Sequence, residues 1–110
     1  MPSRIRAKLK SMNRARAIEV LRLLRPQLEA RGITRAGIFG SVGRDAADKS
    51  SDIDVVVTPA EDRRLDLFDL GGIQTLLDEG FAGMEIDVVV EPIRQPGLRA
   101  AVERDRVDAF

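Results

Sequence analysis

Histidine, cysteine, tryptophan and tyrosine are all missing from this 110-residue chain. Each absence closes off chemistry. Without cysteine there are no disulfides and no thiolate zinc sites, and a cytoplasmic location is the expectation. Without histidine a general base must be a carboxylate or an amine, and serine–histidine–aspartate or cysteine–histidine catalysis cannot occur within the chain. The aromatics are Phe39, Phe68, Phe81 and Phe110, too few for a platform that stacks single-stranded bases. No apolar run approaches the length of a membrane span. The opening "MPSRIRAKLK" is basic but has no apolar h-region, so it does not read as a secretory signal.

What is present suits one globular domain with one core. Hydrophobic residues make up 44% and charged residues 33%, and the formal net charge is zero. The charge is unevenly spread. Residues 1–25 hold Arg4, Arg6, Lys8, Lys10, Arg14, Arg16, Arg22 and Arg25 against Glu19 alone. Residues 1–11 therefore read as a basic arm able to contact RNA or an acidic partner, or simply to be solvated, and residues 12–110 as the domain.

Ile18, Leu21, Leu24 and Leu28 recur at helical spacing and predict a helix over 12–31, with Ser11 or Asn13 as cap, Pro26 as a kink or restart and Gly32 as the stop. "GITRAGIFG" predicts a first strand, "DIDVVV" (52–57) a second ended by Pro59, and "MEIDVVV" (84–90) a third. Leu65, Phe68, Ile73, Leu76 and Leu77 predict a helix over 65–80, weakened by Gly71-Gly72. One helical turn and a loop are expected over 41–50, and "GLRAAVERDRV" predicts a terminal helix. The order α-β-(α)-β-α-β-α points to an α/β (α+β) fold, a small mixed sheet covered by helices.

Side chains alternate along a strand, so Asp52 and Asp54 share a face, with α carbons about 6.5 Å apart. Ile53, Val55 and Val57 point the other way, into the core. In the third strand Met84, Ile86, Val88 and Val90 form one face, and Glu85 and Asp87 the other. If the two strands are neighbours with apolar faces matched, Asp52, Asp54 and Asp87 converge. Two such charges about 5 Å apart repel by roughly 3 kcal/mol at an effective dielectric near 20. A proton, an arginine or a divalent cation must offset this. Oxygen ligands alone suit magnesium, with manganese also compatible, and two such ions serve phosphoryl or nucleotidyl transfer.

Just ahead of the pair, Gly40 allows close backbone approach to a ligand. Free N–H groups after it, the Ser41 hydroxyl and the planar Arg44 fork suit phosphate. Arg44 also has Asp45, Asp48 or the site carboxylates as salt-bridge partners.

Gly40-Ser41, ten residues, Asp52-Ile53-Asp54, and Asp87 on a later strand together resemble the G-S-x10-D-x-D…D pattern of the DNA polymerase beta-like nucleotidyltransferase superfamily. "FGSVGR", "SDIDVVV" and "EIDVVV" are most similar to its minimal nucleotidyltransferase branch, over roughly residues 12 to 105. The resemblance implies the polymerase beta catalytic core. It implies that Asp52, Asp54 and Asp87 are catalytic and hold two magnesium ions, and that Gly40, Ser41 and Arg44 bind the nucleotide. Asp45 departs from the glycine that commonly follows the motif arginine.

Minimal members are often antitoxins paired with a HEPN-type ribonuclease toxin. The implied activity is transfer of AMP from ATP to a tyrosine of that toxin, in a hetero-oligomer. This chain has no tyrosine, so the acceptor belongs to another molecule. The alternatives are an antitoxin that neutralises by binding alone, and nucleotidyl transfer to RNA or a small-molecule hydroxyl.

Overall fold

Pro26 restarts the first helical segment. In the computed structural model, which describes residues 13–40, 53–82 and 84–110, helix α1 (Arg14–Leu23) hands over at Leu24 to a short α2 (Arg25–Ala30). Proline fits the first turn of α2 because the N–H it lacks would have no partner there. The Asn13 side chain caps α1 by accepting from the Arg16 N–H at 2.8 Å. Gly32, at φ +91°, turns the chain into the first strand.

Strand β1 (Ile33–Phe39) pairs antiparallel with β2 (Ile53–Pro59). Helix α3 (Leu67–Gly80) then crosses over to β3 (Ile86–Val90), which is parallel to β2. A reciprocal Asp66–Asp69 capping box starts α3. Gly71-Gly72 does not break it; the Arg31 guanidinium lies where a side chain on Gly72 would go. Helix α4 (Pro96–Asp105) leads to β4 (Val107–Asp108), and the sheet order is β3-β2-β1-β4.

The restart expected at Pro26 divides 12–31 into two helices, and two expectations change. The third strand begins at Ile86. The terminal helix ends at Asp105, where Arg106 turns extended and a fourth strand follows against Gly37 and Ile38. Two residues are too few to show a period, so β4 left no signature in the sequence.

Both faces of the sheet are covered. Ile53, Val55, Val57, Ile73, Leu77 and Phe81 belong to the larger core beneath α1–α3. Val56, on the same face as Asp54 by alternation, is fully buried under α4 with Phe39, Ile93 and Val102, and Val89 packs on the same cluster. The carboxylate face is thus apolar in its middle, beneath α4. Among the described residues no helix is long and apolar enough to cross a membrane.

Candidate active site

Strands β2 and β3 run the same way, so their N-terminal ends lie together. The register pairs Ile53 with Ile86 and Asp54 with Asp87. Residues paired across a parallel ladder project to the same face, with strands about 4.8 Å apart. Asp54 and Asp87 are therefore neighbours on the α4 side of the sheet. Asp54 is half-buried on an inner strand; Asp87 is exposed on the edge strand. Asp52, Ser41 and Arg44 lie outside the described residues, as do Asp45 and the expected helical turn over 41–50.

Phe39 pairs with Asp54 across β1 and β2, which brings the next residue, Gly40, against the same carboxylate. Gly40 has φ +70°, and a Cβ placed on it would collide with Asp54 Oδ2. Glycine is required here twice, once by the backbone angle and once by the contact. The end of β1 therefore lies directly beside the Asp54 carboxylate.

The donor set fits a hard divalent cation. Asp54 and Asp87 supply oxygen ligands at neighbouring positions, and a cation between them converts mutual repulsion into attraction. Among the described residues no group of three or more histidine, cysteine or acidic ligands comes together; the third motif carboxylate, Asp52, is not among them.

At the other end of this face, sequence reasoning missed a charged network. Arg106, with 12% of its side chain exposed, donates to Glu91 at 2.7 Å, to Asp108 at 2.6 Å and to the Thr58 hydroxyl at 3.3 Å. Thr58 in turn donates to Glu91, and Arg35 donates to Asp108 at 2.7 Å. The network joins β1 and the C-terminal ends of β2 and β3 to β4. Burial pushes the Glu91 carboxyl up, but the Thr58 and Arg106 hydrogen bonds outweigh it and hold it below its ordinary value. Asp108 is likewise held down by Arg35 and Arg106 despite burial. Burial works against the Arg106 charge, yet Glu91 and Asp108 raise it above the usual arginine value. These partners come from residues far apart in sequence, so no local pattern announces them. Beyond the network, an open groove of about 710 Å³ is lined by Pro59, Arg64, Leu65, Leu70, Val90 and Arg94. It lies at the opposite end of the strands from Asp54 and Asp87 and is distinct from this site.

Comparison with known proteins bears on this geometry. Residues 21–109 match the nucleotidyltransferase domain family. A Methanocaldococcus jannaschii protein named as a putative protein adenylyltransferase is 34% identical over 92 residues, 84% of this chain and 96% of that protein. A solved structure described as a putative minimal nucleotidyltransferase is 33% identical, covers 87% of this chain and 95% of its own, and superposes with a TM-score of 0.63. A toxin–antitoxin structure with AMP-PNP is 20% identical, covers 86% of this chain and 72% of its own, and shares the fold at a TM-score of 0.66.

Proposed function

This chain belongs to the nucleotidyltransferase domain family, and from that premise we propose that it is a metal-dependent protein adenylyltransferase, the antitoxin of a toxin–antitoxin pair. ATP is the donor and a tyrosine hydroxyl of a HEPN-type ribonuclease toxin the acceptor. The observation that carries this reading is the in-register pair Asp54–Asp87 with Gly40 closed against Asp54. The named activity of the M. jannaschii relative supports a protein as acceptor. The toxin–antitoxin structure of the same fold supports a toxin as partner.

In the transfer, the acceptor oxygen bonds to the α phosphorus and the bond from that phosphorus to the bridging oxygen breaks. Pyrophosphate leaves with the electron pair, and the hydroxyl proton passes to a carboxylate. Asp87 suits that last role because it is exposed at the sheet edge, where an acceptor can approach. Asp54, half-buried and further in, suits the holding of cation and nucleotide, together with Asp52. Asp52, Asp54 and Asp87 would hold magnesium, which when bound would supply charge that neutralises the reacting oxygens. Gly40 and Ser41 hold the terminal phosphates through backbone N–H groups and the hydroxyl, and Arg44 supplies a cationic fork.

The test is incubation with magnesium and α-labelled ATP, with and without the protein encoded beside this chain. Label on that protein, lost when the metal is chelated, is the expected result. A tight complex with no label, unchanged in the Asp54→Asn variant, would mean neutralisation by binding alone. Label on RNA or on a small molecule would give the chain a different acceptor.

A further inference from the structure

Among the described residues, the strand that carries Asp87 is an edge of the sheet. Ile53 N–H donates to Glu85 O at 2.9 Å and Glu91 N–H donates to Val57 O at 3.0 Å. With the parallel register between them, this fixes the parity of β3. The odd-numbered residues turn their N–H and C=O groups to β2, and Ile86, Val88 and Val90 turn theirs outward. The Ile86 carbonyl accepts from Gln74 Nε2 at 3.3 Å. The N–H and C=O groups of Val88 and Val90 have no partner among the described residues.

Natural edges are usually blunted by charged side chains, proline or a bulge. "IDVVV" has no proline and an unbroken register with β2, and its one charge is Asp87. Its valines are half-buried. On the α4 face the exposed side chains are Glu85 and Asp87, neither with an ion-pair partner among the described residues. On the opposite face are Ile86, Val88 and Val90.

We propose that this edge receives an extended segment of the acceptor protein as a fifth, antiparallel strand, presenting the acceptor hydroxyl opposite Asp87. The inference rests on the adenylyl-transfer reading and adds how the acceptor is held. Strand addition satisfies the four outward groups of Val88 and Val90. Because Asp87 bonds to β2 through its own backbone, its new neighbour forms a non-hydrogen-bonded pair, the kind with α carbons only about 4.5 Å apart and side chains closest. The edge thereby selects its occupant. Apolar residues sit opposite Val90, Val88 and Ile86, the hydroxyl residue opposite Asp87, and a lysine or arginine opposite Glu85. Acidic Glu85 and Asp87 disfavour pairing of this edge with a second copy of itself.

The probe is a capped hexapeptide, Val-Thr-Val-Tyr-Val-Lys, added to the full chain without nucleotide. Expected are slowed amide hydrogen exchange at Val88 and Val90, and binding weakened at least tenfold when the peptide is N-methylated on the three valines but not on the other residues. Glu85→Lys should weaken binding about two- to fivefold, the range of an exposed ion pair, and a peptide ending in glutamate should restore it. Absence of binding at millimolar peptide, equal affinity for both methylated peptides, slowed exchange elsewhere, or self-association through β3 would overturn the docking mode. The labelled-ATP experiment is separate: transfer to a partner with no protection at Val88 and Val90 sinks the docking mode and leaves the activity standing.

Discussion

The α carbon of Gly40 and the carboxylate of Asp54 are so close that a methyl group cannot be placed between them. Gly40, at the end of β1, and the Asp54 carboxylate are thus one unit. Gly40→Ala must pay both for φ +70° and for displacing Asp54. We expect about 1–2 kcal/mol less stability in urea melts, from the left-handed backbone alone, together with loss of transfer activity beyond what the stability change explains. Full activity in this variant would separate Gly40 from the site.

Asp87 is exposed on an edge strand, so Asp87→Asn should leave the melting temperature unchanged within a degree or two. Transfer should fall by at least about a hundredfold, the range for losing a general base. Labelled-ATP turnover measured beside thermal melts checks both halves. Turnover near that of the parent would remove Asp87 from the chemistry.

Arg106 is the hub of the network at the far end of the same face. Arg106→Ala leaves Glu91 and Asp108 without their shared partner and should cost about 1–3 kcal/mol, the penalty for stranding partly buried acceptors. Lysine should rescue this incompletely, since a single ammonium cannot span Glu91, Asp108 and Thr58 with the geometry of a guanidinium.

The same network sets an acid limit. Glu91 and Asp108 are held below their ordinary values of 4.5 and 3.8. A carboxylate depressed in the fold contributes its full stability above the unfolded value and loses it as pH falls through the folded one. Melting temperature should therefore be flat near neutrality and decline below about pH 4.5. In Arg106→Met the decline should be shallower. An equal slope in parent and variant would place the acid sensitivity elsewhere.

Much of this architecture is readable from periodicity. Valine-rich runs at 53–57 and 86–90 and the leucine spacing of α1 and α3 reflect burial that repeats every two or every 3.6 residues. Pairing Asp54 with Asp87 follows from the near-copies "DIDVVV" and "EIDVVV" once the strands are taken as neighbours. Two features resisted reading. Val56 and Val89 share a face with the aspartates, and nothing local says that α4 will return to cover them. Strand β4 is two residues long and exists because β1 offers it an edge.

Residue type and spacing along the chain settled which chemistry is open to this protein: carboxylates, amines, hydroxyls and guanidinium groups, with no imidazole or thiol. They also settled which side of each strand is apolar, because alternation is local. Tertiary structure decided which strands adjoin, which carboxylate is half-buried and which exposed, that Gly40 touches Asp54, and that β3 is left as an edge. Those are long-range pairings, and a linear pattern does not contain them because each depends on where a distant segment packs.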